Sequence, residues 1–406
     1  MKHYRPNYFD KFTCIADKCD FTCCQDWIIA VDDETLDNWK NMDIPEDLMD
    51  TKSNSKLSDY VEVKDSSYIR LENHKCPFLN EKGLCNIVLK YGEENISDTC
   101  HTFPRERREY ADRMESSLSL GCKAAVQLLF EKDNFDIIET EVEDDYEAEA
   151  CPQYLYEARK WFMDIMSDRN IPANICLKVI FYLALDIDDK NIDDTRKLDE
   201  YKTSGIVGEL LDMMNASEIR ADFYDQFNED NELLLDLFIR YYEQEKYLDN
   251  IADVFEYAED LENLEQELEN GFDEDSEDDE CEKLFRKIDF DMEDMYNSFN
   301  DNIYNKYNDK IRLIIKEELF ASLLTGEMNI QAVIVKIQWL AIELAVLKQW
   351  MFIRYCIDKD LDEDKLLQII AVLFRITGYC DDDIFEYLDN SFEEIIWDWG
   401  YMNLII

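Results

Sequence analysis

Apolar residues recur at intervals of three and four positions through most of the chain beyond about residue 123. This spacing gathers apolar side chains on one face of an α-helix and polar side chains on the other. It therefore predicts a succession of amphipathic helices. The segments with this pattern are AAVQLLF (124–130), PQYLYEARKWFMDIM (152–166), NICLKVIFYLALDI (174–187), ELLLDLFIRYY (232–242) and IADVFEYAEDLENLEQELE (251–269).

The same pattern predicts a second helical stretch over residues 283–406. It contains NKYNDKIRLIIKEELFASLLTG, whose Gly326 suits a helix end, then a long helix after Asn329 and two short C-terminal helices. The longest apolar run, AVIVKIQWLAIELAVL (332–347), is interrupted by Lys336, Gln338 and Glu343. Polar residues within it indicate a buried core helix rather than a membrane span.

The first 122 residues have a different pattern. DETLDNWKNM (33–42) predicts a short helix capped by Asp32 or Asp33. YVEVKDSSYIRL (60–71) alternates apolar and polar residues on either side of a turn sequence, which predicts a small β-hairpin. Cysteines and short helical pieces alternate after the hairpin.

We therefore expect a mainly α protein, in which a small cysteine-rich N-terminal module with a short β-hairpin adjoins a helical body. The scarcity of glycine (9) and proline (6) agrees with long helices. The expected divisions are a metal-binding module (1–125), a helical domain (126–270) and a C-terminal helical domain (281–406). The acidic block NGFDEDSEDDE (270–280) between the last two is expected to be a flexible loop.

Negative charge is concentrated in the helical body. The whole chain has a net charge of −53; residues 1–130 hold 17 basic and 24 acidic side chains, so the remaining 276 residues hold 25 and 71. Such a surface repels nucleic acids and anionic membranes. It favours a basic partner, such as a lysine-bearing protein surface, although acidity that serves solubility alone is an equal interpretation.

The N-terminus lacks the apolar segment of an export signal, so we expect a cytoplasmic protein. A reducing compartment disfavours disulfides and makes clustered cysteines candidates for metal binding. The clustered cysteines, all within the first 122 residues, are Cys14, Cys19, Cys23, Cys24, Cys76, Cys85, Cys100 and Cys122. We interpret the five isolated cysteines as buried apolar side chains: Cys151, Cys176, Cys281, Cys356 and Cys380.

The segment CIADKCDFTCC (14–24) holds half of the clustered cysteines. In a helix, Cys19 and Cys23 would share one face, whereas Cys24 would be rotated about 100° away. A metal site needs about four protein ligands, so further ligands must come from Cys76 onward. Eight cysteines suffice for one site with spares or for two sites. With three histidines in the chain, thiolate ligation by zinc or by an iron–sulfur cluster remains open.

Two stretches resemble the flagellin lysine N-methylase (FliB) family. They are YRPNYFDKFTCIADKCDFTCCQDW (4–27) and CPFLNEKGLCNIVLKYGEENISDTCHTFPR (76–105). The first block is also similar to a wider family of eight-cysteine zinc- or iron-chelating domains. The resemblance covers residues 1–125. It implies a [4Fe–4S] cluster and methyl transfer from S-adenosylmethionine to lysine amines of flagellin, with zinc as the alternative metal.

The chain lacks the glycine-rich dinucleotide-binding motif of Rossmann-type methyltransferases. If it uses S-adenosylmethionine, it must therefore hold this cofactor in another way. An open iron of the cluster, binding the amino-acid portion of the cofactor, is one hypothesis.

The segment 91–110 supplies the other candidate residues. Glu93 and Tyr91 are candidates for accepting a proton from the substrate amine, while the alternative is that the segment only caps a short helix. Arg105, with its neighbours Arg107 and Arg108, is a candidate for binding the cofactor carboxylate or for pairing with local acids. His101 is a candidate for orienting the cofactor site or an exposed bystander.

Three functions remain at this point. The first is a protein-lysine methyltransferase with an iron–sulfur cluster and flagellin, or another lysine-bearing protein, as partner. The second is a non-catalytic binding protein with a zinc-stapled module. The third is an iron–sulfur electron-transfer protein.

Overall fold

The structure, a computed structural model, describes residues 1–45, 55–143, 148–216, 223–271, 292–378, 384, 387–388 and 399–406. Helices dominate these residues, which confirms the expected mainly α class. In chain order they are α1 (Asp33–Trp39), α2 (Asn86–Tyr91), α3 (Asp98–Thr102), α4 (Lys123–Phe130), α5 (Gln153–Met166), α6 (Ala173–Asp189), α7 (Thr195–Lys202), α8 (Ile206–Ala216), α9 (Phe223–Glu243), α10 (Leu248–Gly271), α11 (Asn308–Ala321), α12 (Ile330–Asp358), α13 (Glu363–Ile376) and α14 (Trp399–Ile405).

Local signals account for several helix boundaries. Asp32 caps α1 as predicted, with its side chain accepting a hydrogen bond from Thr35 N at 2.8 Å. Asn329 caps α12 in the same way. Helix α11 ends at Ala321, five residues before Gly326, so Gly326 is not its stop signal. Of the acidic block, residues 272–280 lie outside the described residues, and residues 270–271 are the end of α10.

The strands form two sheets. The predicted hairpin is confirmed: β2 (Val61–Val63) pairs antiparallel with β3 (Ser67–Ile69). A four-stranded sheet was not predicted. It comprises β1 (Lys2–Pro6), β4 (Arg105–Glu109), β5 (Arg113–Leu118) and β6 (Ile137–Glu141). The strand order in the sheet is β4-β5-β1-β6. Strand β1 pairs parallel with β5 and antiparallel with β6. Strands β4 and β5 are close in sequence, but β1 and β6 come from distant parts of the chain, so no local pattern reveals the whole sheet.

Two apolar cores hold the chain together. The small core lies inside the cysteine-rich module and centres on Trp39 and Phe78. The large core runs through the helical body and also includes Tyr8, Phe12 and Phe21 from the N-terminal segment. The N-terminal segment of the cysteine-rich region is thus attached to the helical body by burial of apolar area.

Helix α12 occupies the interior of the helical body. It is long and apolar enough to cross a membrane, but 94% of its most apolar window is buried inside the protein. It contacts α6, α9 and α13. The prediction that residues 332–347 form a buried core helix is confirmed. Cys151, Cys176 and Cys356 are buried as expected, whereas Cys281 and Cys380 lie outside the described residues.

Candidate functional site

The first cysteine-rich segment is an irregular loop. A 3₁₀ turn covers Ala16–Lys18, and Cys19 has an extended backbone. Ala16 and Asp26 have φ angles of 49° and 67°, in the left-handed region. Residues 19–24 are not helical, so helical spacing does not relate Cys19 to Cys23. The Cys19 thiol instead donates to the carbonyl of Phe21 at 3.2 Å.

Main-chain hydrogen bonds join this loop to the second cysteine-rich segment. Cys76 N donates to Cys24 O at 2.7 Å, and Asp26 N donates to His74 O at 2.8 Å. The two bonds hold the chain on either side of the bridge between Gln25 and Lys75. Cys76 is thereby fixed beside the Cys23–Cys24 doublet.

Two short helices position two further cysteines. Cys85 directly precedes α2, and Cys100 lies in α3. Ser97 caps α3 by accepting a hydrogen bond from Cys100 N at 3.3 Å. Cys85 and Cys100 both pack against the small core, so its apolar contacts orient them.

Four thiols interact electrostatically with one another in every pairing: Cys23, Cys76, Cys85 and Cys100. We call them the Cys23 set. Within it, a negative charge on one sulfur raises the pKa of its neighbours. Four thiols from the two cysteine-rich segments are the number that a tetrahedral zinc or a cubane cluster requires.

The environment of these thiols keeps them protonated without a cation. Burial is the main cause that raises the pKa of Cys76, and it raises the pKa of Cys100 to about 11. The pKa of Cys23 is raised by its hydrogen bond with Cys24 and then by burial. A metal cation reverses this balance because it stabilises thiolates directly.

Cys19 and Cys122 are two further thiols associated with Cys23. Each interacts electrostatically with Cys23 and with Arg375. Cys122 directly precedes α4, and burial raises its pKa to about 11. Through Arg375 the two thiols are also associated with the helical body.

Arg375 of α13 connects the helical body to the cysteines, and the sequence analysis missed it. Its guanidinium donates to the carbonyls of Thr22 (2.7 Å), Gly121 (2.7 Å) and Phe21 (3.1 Å). It is the cation that lies among Cys19, Cys23 and Cys122. The sequence feature that could have drawn attention to Arg375 is a single arginine directly after the apolar run IIAVLF of α13.

The remaining predicted ligands are less closely associated with this set. Cys14 is exposed, and its sulfur accepts a hydrogen bond from Ala16 N at 3.5 Å. Cys24 contacts the small core and the thiol of Cys23. Within the described ranges, no three histidine, cysteine or acidic side chains already have the geometry of a metal site. The donor chemistry, four thiols that interact electrostatically and no imidazole, nevertheless fits a thiolate-bound metal.

The candidates from segment 91–110 lie on the surface of the small module. Tyr91 donates its hydroxyl to Asp43 O at 2.6 Å, while Glu93 and His101 are exposed. Arg105 donates to Phe12 O at 3.0 Å. None of these four side chains lines either of the two cavities described next.

A cavity of about 370 Å³ lies where β4, β5, α11, α12 and the end of α13 meet. We call it the Glu318–Glu343 cavity after the two carboxyl groups in its wall. Glu318 accepts a hydrogen bond from Ser322 Oγ at 2.7 Å, and Glu343 accepts one from Thr377 Oγ1 at 2.6 Å. Burial raises the pKa of both, that of Glu318 to about 7.

This cavity shares two chain segments with the cysteine cluster. Ser119 and Leu120 line it and are followed at once by Gly121 and Cys122. Phe374 and Thr377 also line it, on either side of the arginine that reaches the thiols. The cavity and the cysteines are therefore neighbouring features.

A second, larger cavity of about 1190 Å³ lies between the four-stranded sheet and α5. Its floor contains the buried pair of Glu115 and Arg159, whose side chains form hydrogen bonds of 2.5 and 2.8 Å. Within the described ranges, the Tyr156 hydroxyl in its wall is buried without a hydrogen-bond partner. Five acidic side chains also line it: Asp112, Glu139, Glu141, Glu143 and Glu157.

Comparison with curated proteins links the chain to bacterial lysine methylation. Proteins named lysine-N-methylase from Salmonella typhimurium (strain LT2) and Salmonella choleraesuis (strain SC-B67) are each 29% identical to it over 124 residues. Each match covers 29% of this chain and 29% of the relative. The flagellar biosynthetic protein FliU of Salmonella muenchen is 30% identical over 124 residues, which are 29% of this chain and 70% of that protein.

No solved structure matches the chain significantly. The profile of the FliB lysine N-methylase C-terminal domain matches residues 159–405, within the helical body for which the sequence analysis had no diagnostic motif. Because this profile spans more than half of the chain, the protein belongs to the FliB lysine N-methylase family.

Proposed function

We propose that the protein is a cytoplasmic, S-adenosylmethionine-dependent protein-lysine N-methyltransferase that acts on flagellin, with an iron–sulfur cluster bound by its N-terminal cysteines. Membership of the FliB lysine N-methylase family carries this proposal. The names of the relatives, two lysine-N-methylases and one flagellar biosynthetic protein, support the reaction and the substrate.

The Cys23 set supports the metal centre. Its four thiols come from both cysteine-rich segments. Burial disfavours their ionised thiolate forms unless a cation lies beside them. When bound through four thiolates, a [4Fe–4S] cluster supplies one-electron redox chemistry. We propose Cys23, Cys76, Cys85 and Cys100 as its ligands, and Cys14, Cys19, Cys24 and Cys122 as the pool for any second site.

The reaction sets two requirements for the protein. The lysine ammonium must first lose a proton to an acceptor, and its nitrogen then attacks the methyl carbon of the cofactor. The N–C bond forms as the C–S bond breaks, and S-adenosylhomocysteine leaves. A carboxylate near the amine meets the first requirement.

The acidic wall of the second cavity supports a lysine-bearing partner. Of the described residues, six acidic and four basic side chains line it, so it suits docking of a basic surface of the substrate protein rather than the reacting amine. The net charge of −46 outside residues 1–130 extends this attraction to a basic protein surface. In this proposal Glu93 and Tyr91, which line neither cavity, have no role in the proton transfer.

Methyl transfer tests the proposal directly. The full chain, purified without oxygen, is incubated with flagellin and methyl-deuterated S-adenosylmethionine, and flagellin peptides are analysed by mass spectrometry. We expect deuterated methyl groups on lysine side chains, and none with the Cys23→Ser variant. An absence of labelled lysine with cluster-loaded protein and accessible lysines would refute the enzymatic proposal.

One observation also favours a second function. Four buried thiols suit zinc as well as an iron–sulfur cluster, so a zinc-stapled binding module fits the same geometry. Metal analysis separates the two: iron with broad absorbance near about 400 nm supports the cluster. Colourless protein with stoichiometric zinc supports the binding module.

A further inference from the structure

In the Glu318–Glu343 cavity, some charged groups of the wall have no protein partner among the described residues. Its wall contains the cations Arg107 and Arg108 (β4) and Lys336 (α12), and the carboxyl groups of Glu106 (β4), Glu318 (α11) and Glu343 (α12). Trp339 and Phe374 supply apolar surface. A volume of about 370 Å³ lies within the range of small-molecule sites.

Arg108 has an unused hydrogen-bonding edge. Its Nη1 donates to Ser117 Oγ at 2.8 Å and lies 3.5 Å from a carboxylate oxygen of Glu106. Its Nε and Nη2 are buried and have no hydrogen-bond partner among the residues that the structure describes. These two nitrogens form one edge of the guanidinium, the edge that binds a carboxylate through two parallel hydrogen bonds. Leaving such charged donors unpaired is costly, so the edge fits an anionic ligand group.

Glu318 and Glu343, in contrast, require a group of positive charge. Each accepts one hydroxyl hydrogen bond, and Trp339 also donates a hydrogen bond to Glu343. Arg108 interacts electrostatically with Glu318, but neither carboxyl group forms an ion pair within the described part of the chain. The charge of Glu318 raises the pKa of Glu343, so the two carboxylates repel one another when ionised. A cationic ligand group between them removes this repulsion.

A ligand for this cavity therefore has both a carboxylate and positive charge. The methionine portion of S-adenosylmethionine has an α-carboxylate, an α-ammonium and a sulfonium. A lysine within a protein chain has the ammonium but no free carboxylate, so it leaves the Arg108 edge unpaired. The cavity thus suits the methyl donor better than the methyl acceptor.

We propose that the Glu318–Glu343 cavity binds the methionine portion of S-adenosylmethionine, with Arg108 taking the carboxylate and Glu318 and Glu343 taking the positive charges. The inference rests on the proposed function and gives its cofactor a site that no Rossmann motif provides. Arg108 belongs to the basic cluster predicted for the carboxylate, in which the structure favours it over Arg105. The donor then lies beside the cysteines, since Ser119 and Phe374 link the two features.

Binding measurements test the site independently of activity. The full-length, metal-loaded protein is titrated by calorimetry with S-adenosylhomocysteine and with methylthioadenosine, which lacks the amino-acid portion. The variants are Arg108→Lys, which keeps the charge but loses the two-donor edge, and Glu343→Gln, which keeps the size and the hydroxyl contact. Glu139→Gln, in the second cavity, is the matched control, and thermal unfolding verifies that each variant is folded.

We expect Arg108→Lys and Glu343→Gln each to weaken S-adenosylhomocysteine binding by about tenfold or more, as loss of a charged hydrogen bond does. Methylthioadenosine binding and the Glu139→Gln control should stay at the wild-type value. Folded variants that bind S-adenosylhomocysteine like the wild type would overturn the site while leaving the proposed function intact. Wild-type protein that binds no S-adenosylhomocysteine would overturn the use of this cofactor altogether.

Discussion

The guanidinium carbon of Arg375 lies 3.8 Å from the centre of the Phe21 ring, so a side chain of α13 stacks on the first cysteine-rich loop. The same guanidinium donates to three main-chain carbonyls, two in that loop and one at Gly121. One residue of the helical body therefore holds two segments of the N-terminal region in place. The position of the thiols depends on this contact.

Replacing Arg375 should release both segments. Arg375→Met loses the three hydrogen bonds and the contact with the aromatic ring, and we expect a loss of about 3 kcal/mol in stability. Bound metal should fall as well, because the Cys23 loop is no longer held. Thermal unfolding and metal content measure both effects.

Arg70→Met is the matched control for this change. Arg70 is exposed and donates to one carbonyl, that of Asp59, at 3.1 Å. It should change stability by less than about 1 kcal/mol. Wild-type metal content and melting temperature in Arg375→Met would contradict the anchoring role.

The contact at Gly121 predicts a second effect. A Cβ atom at this position would lie 3.0 Å from Arg375 Cγ, which is closer than normal packing. Gly121→Ala should therefore displace the arginine, destabilise the protein by about 1–2 kcal/mol and reduce metal binding. Gly208→Ala is the comparison, because its added Cβ meets no atom within 4 Å and alanine favours helix α8 by about 0.5–1 kcal/mol. Equal melting temperatures for the two variants would argue against the close contact.

Single cysteine variants should distinguish ligands from bystanders. Cys23 interacts electrostatically with every other member of its set, whereas Cys14 is exposed. We expect Cys23→Ser to lose most of the bound iron and Cys14→Ser to retain most of it. Iron per protein chain, measured after anaerobic purification, gives the answer. The reverse order would show that the metal lies at the outer end of the loop.

Glu317 should make stability depend on pH. Tyr8 donates its hydroxyl to this carboxyl group at 2.5 Å, and Leu118 N donates at 3.3 Å. Burial raises its pKa to about 8, with a further increase from Glu318 and an opposing effect of Arg108. The folded state thus binds the proton more tightly than the unfolded state, whose carboxyl pKa is about 4.3. Its contribution to stability is complete below about pH 4 and is lost as the pH rises to 8.

Glu317→Gln removes this proton-binding group. Between pH 5.5 and pH 8, the stability of Glu317→Gln relative to the wild type should therefore rise by on the order of 3 kcal/mol. Urea unfolding at the two pH values measures the difference, with the exposed Glu139→Gln as control. Parallel pH dependence of the wild type and Glu317→Gln would rule out this origin of the effect.

The local pattern of the sequence was sufficient for most helices, for the hairpin and for the cap at Asp32. These features depend on neighbouring residues, whose periodicity and hydrogen-bonding groups are visible along the chain. The cysteine motif likewise indicated metal chemistry before any coordinates, because residue type and spacing determine which donors are available. Its resemblance to FliB agrees with the family found from the helical body.

Tertiary structure alone decided which residues meet. The sheet that joins β1 to β5, the convergence of Cys23 with Cys76, Cys85 and Cys100, and the contact of Arg375 with Phe21 all join distant segments. So does the cavity between Arg108 and Glu343. Such contacts depend on how apolar faces pack to exclude water, and periodicity shows that a face exists without showing what it packs against.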